Sequence, residues 1–205
     1  MGTSGSGSPS PGPGVSGCAD SGDDGALQAF SPALTGTFIS DIDDGNGGRL
    51  HNYTGALSDV FAENARGVGD SGCGFEQHPA AMRRALENPV NTGFLRADAN
   101  LAVVVIADED DCSVLDSPLF GPDRPTLRRL DSFRCTQFGI TWDPGDMSEP
   151  GSKSDCTPDA TSSLVEDVQP FIDALLAAKG DPRMIMVAGI VGDPAPVEIG
   201  LGGAP

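Results

Sequence analysis

Two long apolar runs without alternation constrain the fold of this chain more than any other feature of its sequence. Residues 101–107 read Leu-Ala-Val-Val-Val-Ile-Ala, and residues 184–191 read Met-Ile-Met-Val-Ala-Gly-Ile-Val. Continuous runs of this kind, rich in β-branched residues, are typical of strands that are covered on both faces in a parallel sheet. We therefore predict an α/β fold in which these two strands lie side by side and parallel.

Helical periodicity covers three segments, residues 54–66, 76–87 and 163–179. Thr54 is a candidate N-cap for the first helix, and Ser163 with Glu166 forms a capping box for the third. Pro170 lies inside the third pattern and predicts either a kink or a later helix start. The order of helices and strands indicates α/β architecture, with the third helix crossing over one face of the sheet.

A cluster of carboxylates follows the first apolar strand, from Asp108 to Asp111. In open α/β sheets, ligands bind at the edge where strands end. A carboxylate at Asp108 can hold a divalent cation, act as a nucleophile, or cap the following turn. Glu109, Asp110 and Asp111 are predicted to be solvated turn residues.

The charge of the chain excludes several function classes. Thirty acidic residues against twelve basic ones give a net charge of −18, which disfavours binding to nucleic acid and to anionic membrane surfaces. No apolar run is long enough to predict a membrane span, and no signal-peptide pattern is found. Residues 1–17 are rich in Gly, Ser and Pro and are predicted to be a flexible linker. The acidic segment 41–48 predicts a tight turn rather than a calcium loop.

The cysteines predict a cross-link in the long excursion between the strands, residues 112–160. That excursion has no helical or strand periodicity and is predicted to bury little. A disulfide there would restrict its unfolded ensemble, and would favour an oxidising compartment. Cys112–Cys135 and Cys135–Cys156 are the leading candidates, since spacing alone does not fix the pairing. The remaining cysteines are Cys18 and Cys73.

Several segments together resemble a known family. They are GCGFEQHPAAMRRAL (72–86), GFLRADANLAVVVIADEDDCS (93–113), SFRC (132–135), GSKSDC (151–156) and DPRMIMVAGIVGD (181–193). The chain is similar here to secreted bacterial lipoprotein-like proteins that are built on a von Willebrand factor A-type domain. The likeness covers most of residues 18–193, and DEDDCS is its most specific part. It implies a single domain over 18–205.

The resemblance implies a doubly wound, mainly parallel sheet flanked by helices, with a metal-ion-dependent adhesion site at the strand ends. In that alignment Asp108 matches the aspartate of the family's third loop, and Glu76 falls near the threonine of the second loop. Thr54 is an alternative for that threonine. The DxSxS loop that supplies most metal ligands in the family is absent from this sequence, and the alignment also stops before the family's last helix. We therefore expect a domain truncated at both ends that binds Mg²⁺ or Ca²⁺ weakly, near Asp108.

By the same resemblance, the chain is expected to be a secreted or cell-surface adhesion module rather than an enzyme. Its ligand would be a protein or a polysaccharide, and it would belong to a longer parent protein with further domains. The alternative from the residues themselves is a metal-dependent hydrolase or phosphotransferase that uses Asp108. A third possibility is an incomplete reading frame without autonomous function. We also expect an uncovered sheet edge that promotes aggregation or pairing with another chain.

Overall fold

A computed structural model describes residues 23–69, 74–115, 117–143, 145–193 and 195–200 of the chain. The predicted linker 1–17, and Cys18 and Cys73, lie outside these residues. The described helices are α1 (Leu57–Gly67), α2 (His78–Glu87), α3 (Phe133–Gly139) and α4 (Gln169–Lys179), with short 3₁₀ turns at Pro89–Asn91, Ser117–Phe120 and Pro182–Met184. The described strands are β1 (Asp41–Asp43), β2 (Arg49–His51), β3 (Leu101–Ile106), β4 (Ile140–Thr141), β5 (Gly151–Lys153), β6 (Thr157–Pro158), β7 (Ile185–Ile190) and β8 (Val197–Ile199).

The two apolar runs form the parallel pair that their sequence predicts. β3 and β7 are hydrogen-bonded neighbours, with Leu101 opposite Ile185 and Ile106 opposite Ile190. The backbone pairing continues one residue further, because the N–H of Ala107 donates to the carbonyl of Ile190 at 3.1 Å. α4 lies in the connection between the strands and contacts both α2 and β7. The parallel prediction is therefore confirmed.

The prediction that both strands are covered on both faces is wrong. Ile106 is 67% exposed and Ile190 is 64% exposed, and Val104 and Met186 on the same face are also more than half exposed. On the opposite face Leu101 is buried, but Val187 is 60% exposed. A run of apolar residues without alternation shows only that both faces of the strand are apolar. Whether each face is buried depends on other elements that pack against it.

The fold is mixed α/β, with four small two-stranded sheets among the described residues. The β3–β7 pair is parallel, while β1–β2, β4–β6 and β5–β8 are antiparallel. The extended doubly wound sheet that the resemblance implies is not present in the described ranges. The coarse α/β class is confirmed, and the finer architecture stays a prediction.

The third helix begins later than its capping box predicts. α4 starts at Gln169 and places Pro170 in its first turn, where a proline needs no backbone donor. Ser163 and Glu166 precede the helix, so the capping-box assignment is wrong. The two terminal guanidinium nitrogens of Arg83, Nη1 and Nη2, donate to the Glu166 carboxylate, which joins α2 to the segment before α4. Glu166 therefore forms an ion pair with Arg83 instead of the local helix cap that the sequence pattern predicts.

The N-terminal elements also shift from their predicted bounds. α1 has Ala56 as its N-cap, not Thr54, and its Val60 is buried whereas Phe61 is 63% exposed. Residues 41–43 pair with residues 49–51 in a short antiparallel hairpin. The tight turn in segment 41–48 is confirmed. It closes this hairpin, with the Asp44 carboxylate accepting from the backbone of Asn46 and Gly48.

The excursion 112–160 contributes much of the hydrophobic core, contrary to the prediction that it buries little. Cys112 and Cys135 form a disulfide that ties the segment after β3 to α3. The prediction of a bridge within 112–156 is confirmed, and Cys156 is a free thiol. The buried cluster around this bridge consists of Phe75, Cys112, Val114, Leu119, Phe120, Cys135 and Val165.

Candidate functional site

The site that the sequence predicts lies where β3 ends. Ala107 still pairs with β7, and Asp108, Glu109 and Asp110 follow it as exposed residues. The chain then turns inward, so that Cys112 and Ser113 are buried. Asp110 is fixed in this turn because its carboxylate accepts from the hydroxyl of Thr136 at 2.8 Å. The carboxylates directly after the strand therefore face solvent at the carboxyl end of the parallel pair, as predicted for a ligand-binding edge.

Glu76 and His78 lie beside this edge. The backbone N–H of Cys112 donates to the Glu76 carbonyl at 2.5 Å, which holds the segment before α2 against the segment after β3. Burial raises the pKa of Glu76, and the negative charges of Glu109 and Asp108 raise it further. Burial lowers the pKa of His78, and the charge of Asp108 partly offsets that effect. Glu76, His78 and Asp108 thus form one electrostatically linked group.

Asp111 differs from the solvated turn residue that was predicted. Its carboxylate accepts from the Ser113 hydroxyl at 2.9 Å and from the Ser113 backbone N–H at 3.2 Å. The Ser113 hydroxyl in turn accepts from the backbone N–H of Ala80, in the first turn of α2. Burial raises the pKa of Asp111 to about 6, although hydrogen bonds from Ser113, His78 and Cys112 oppose the shift. This network anchors the beginning of α2 to the end of the β3 segment.

Of the three predicted metal ligands, Glu76 and Asp108 are near enough for the charge of Asp108 to raise the pKa of Glu76. Glu76 directly precedes Gln77, the N-cap of α2. Thr54 lies in the loop before α1, where its backbone N–H donates to the carbonyl of Ala33, and in the described part of the chain no hydrogen bond joins it to the other two.

The residues present do not make a complete metal site. Across the described ranges, no group of three or more His, Cys, Asp or Glu side chains is arranged to hold a metal ion. Mg²⁺ takes six oxygen ligands in near-octahedral geometry, and Ca²⁺ takes six to eight. Glu76 and Asp108 offer too few oxygens to fit a resident cation without further donors.

Sequence reasoning missed two features of this site. No motif in the sequence singles out His78, which is partly buried at this edge and feels the charge of Asp108. Asp111 and Ser113 were not recognised as anchors for a distant helix. An Asp followed two residues later by Ser is a local hydrogen-bonding motif, and this spacing was the available signal. Its partner Ala80 is remote in sequence, so the motif alone does not identify the helix.

Two further findings concern membrane-spanning helices and similarity to known proteins. No described helix combines the length and apolar character that crossing a bilayer requires. No family model, no curated protein and no solved structure matches this chain.

Proposed function

We propose that this chain is a non-catalytic binding module that contacts a protein or polysaccharide ligand through the carboxyl end of β3. The observation that carries the proposal is the meeting of Asp108, at the end of a parallel strand, with the partly buried Glu76 and His78. Such a group combines an exposed carboxylate with two partly buried side chains whose pKa values are shifted, which is characteristic of functional sites. The ligand would be recognised through hydroxyl, amide or cationic groups, because acidic side chains dominate the edge.

A binding role is favoured over a hydrolytic one because two hydroxyls at this edge, those of Ser113 and Thr136, are already hydrogen-bonded to Asp111 and Asp110. Nucleophilic catalysis needs a hydroxyl or thiol that reaches both a base and the substrate. Ser113 is the serine next to this edge, and it is fully buried with its hydroxyl engaged by Asp111 and Ala80. It therefore acts as a structural anchor. This leaves the carboxylate of Asp108 itself as the group that a hydrolase or phosphotransferase would have to use.

A divalent cation would take part in this binding only as a weakly held ion. With Glu76 and Asp108 as its protein ligands, Mg²⁺ would keep most of its water shell. The acidic residues Glu109 and Asp110 raise the local cation concentration without having to coordinate. The Cys112–Cys135 disulfide supports the expectation of a secreted or cell-surface protein, because such bonds persist in oxidising compartments.

Calorimetric titration of the full chain with Mg²⁺ and with Ca²⁺ tests the proposal. We expect weak binding, with a dissociation constant on the order of a millimolar, that is lost in Asp108→Asn. Asp98→Asn is the matched control, because it removes the same charge from an exposed position before the amino end of the same strand. Binding to arrayed polysaccharides and proteins, compared with and without chelator, should follow the same pattern.

Two outcomes would contradict the proposal. Tight stoichiometric cation binding would mean that the site is complete as it stands and that the alignment with the family's third loop is wrong. Hydrolysis of phosphate or carboxylic esters in the presence of Mg²⁺, abolished by Asp108→Asn but not by Asp98→Asn, would instead establish the hydrolase alternative.

A further inference from the structure

A second concave site lies against α1 and shares none of its lining residues with the β3 edge. Its volume is about 490 Å³, within the range of roughly 300–1,000 Å³ that is typical of small-molecule pockets. One wall is the face of α1 that carries Phe61 and Ala65. The other walls are the segments 26–30 and 37–39, together with Phe94. We call this site the phenylalanine cavity.

Four aromatic rings line the phenylalanine cavity. Phe38 and Phe94 pack edge to face, with centroids 5.5 Å apart and ring planes at 73°. Phe30 is about half exposed and Phe61 is 63% exposed. Aromatic rings exposed to water in a concave site gain from covering by apolar surface, and they favour a partner that is itself aromatic.

Asparagine side chains hold each wall of the cavity in place. The Asn64 carbonyl oxygen accepts from the backbone N–H of Phe30 at 2.8 Å and of Ser31 at 2.9 Å. The buried Asn91 accepts from the backbone N–H of Leu27 at 2.9 Å. The amide of Asn52 donates to the carbonyl of Phe38 at 2.8 Å. These bonds fix both loop walls before any ligand arrives, which lowers the ordering cost of binding.

The close packing of Phe30 on α1 also fixes one wall of the cavity before a ligand binds. A Cβ atom at Gly67, the last residue of α1, would lie 2.1 Å from the Cβ of Phe30. The loop that carries Phe30 therefore approaches the helix more closely than any side chain at that position allows. Glycine is the residue that permits such an approach. The wall is built into the fold and is not a loose loop.

Charge decides which apolar ligand the cavity would accept. Asp23 is the single ionisable side chain among the described lining residues, and the chain as a whole carries a net charge of −18. An anionic ligand such as a fatty acid would be repelled and would find no cationic partner here. Residues 1–22, which precede this wall in the chain, offer only Met1 and Val15 as large apolar side chains. They are chemically poor occupants for an aromatic cavity.

We propose that the phenylalanine cavity is a binding site for an uncharged aromatic small molecule. The proposal is independent of the function assigned to the β3 edge. The ligand would be recognised through contacts between its aromatic ring and the rings of Phe38, Phe61 and Phe94. The negative charge of the protein would repel anionic ligands.

Fluorescence titration of the full chain with N-phenyl-1-naphthylamine tests this proposal. The sulfonated dye 8-anilinonaphthalene-1-sulfonate shares its ring system and adds one negative charge. We expect saturable binding of the neutral dye at one site, and about tenfold weaker binding of the sulfonate. Phe61→Ala, which removes one ring, and Ala65→Trp, which fills the cavity, should each weaken binding of the neutral dye by about tenfold.

Ile106→Ala is the matched control, because Ile106 is as exposed as Phe61 but lies on the bare face of the β3–β7 sheet. Its dye affinity should equal that of the unchanged chain. Circular dichroism should confirm that all three variants fold. The proposal would be overturned by an absence of saturable binding, which includes occupation of the cavity by residues 1–22. Equal affinity for the two dyes, or a loss of affinity in Ile106→Ala but not in Phe61→Ala, would also overturn it.

Discussion

At the scale of single residues, Arg134 is the most completely buried charge in the described chain. It is 1% exposed, and none of the ion pairs between described residues includes it. Its nitrogens donate to backbone carbonyls of the Ser117–Phe120 turn and of the loop that follows it. The acceptors are Leu119, Gly121, Pro122, Arg128 and Arg129. A planar guanidinium has five donors, more than any other side chain, and can therefore satisfy all of these carbonyls at once.

We predict that Arg134→Lys destabilises the protein by about 3 kcal/mol, because an ammonium has three donors and leaves two buried carbonyls without a partner. Arg183→Lys is the control. Arg183 is exposed and pairs with its near neighbour Asp181, so its replacement should change the free energy of unfolding by less than ~0.5 kcal/mol. Urea unfolding of both variants measures the difference. Equal effects would mean that the carbonyl contacts of Arg134 contribute little.

The raised pKa of Asp111 makes the stability of the fold depend on pH. Its pKa of about 6 in the folded state lies above the value of ~3.9 expected for an unfolded aspartate. The folded state therefore binds this proton more tightly, and this residue favours folding increasingly as the pH falls from about 7 toward 4.

We predict that Asp111→Asn removes this pH dependence. The stability difference between the unchanged chain and the variant should shift by about 1 kcal/mol in favour of the unchanged chain between about pH 7 and pH 5. Chemical unfolding at a series of pH values measures it, and Asp98→Asn serves as the exposed control. A difference that is constant with pH would mean that the Asp111 carboxyl titrates in the same range whether the chain is folded or unfolded.

At the scale of elements, the parts of the fold that could be predicted are those whose signal is local. The apolar runs 101–107 and 184–191 identified β3 and β7 within one residue at each end, and Pro170 correctly signalled a later start for α4. The position of Asp108 followed from the end of β3. The core contributed by residues 112–160 could not be predicted, because it depends on contacts that are remote in sequence. Phe75 and Val165, for example, lie outside residues 112–160 but belong to the same buried cluster as Leu119 and Phe120.

The disulfide should be a major source of stability for this excursion. Cys112 and Cys135 are separated by 23 residues, and closing a loop of that length lowers the entropy of the unfolded chain. The loop-closure relation corresponds to about 3 kcal/mol. We predict a loss of that size for the double variant Cys112→Ser/Cys135→Ser, measured by thermal and urea unfolding. Cys156→Ser is the control, since Cys156 is a free thiol and its replacement should have little effect.

At the scale of the whole molecule, the exposed apolar side chains of the β3–β7 sheet favour self-association, whereas the net negative charge opposes it. One face of this parallel pair is bare, with Val104, Ile106, Met186 and Ile190 exposed. Each strand also has one edge without a hydrogen-bonded neighbour in the described ranges. Sheets of this kind tend to pair with other chains. The net charge of −18 opposes contact between two copies of the chain, so association depends on how strongly that charge is screened.

We therefore predict that the protein self-associates through this face and that association strengthens as salt is added. At low ionic strength, repulsion between acidic copies should keep the chain largely monomeric. At about 0.5 M NaCl the screening length falls to a few ångströms, and the apolar attraction is then unopposed.

Sedimentation velocity over a range of protein and salt concentrations measures the effect. The double variant Val104→Thr/Ile106→Thr should associate more weakly, because it replaces two of the four exposed apolar side chains on this face while keeping β-branched residues in the strand. Val90→Thr is the control, since Val90 is equally exposed but lies in the 3₁₀ turn at Pro89–Asn91, away from the sheet. A chain that remains monomeric and melts cooperatively at high protein and salt concentration would show that the bare face is not an association surface.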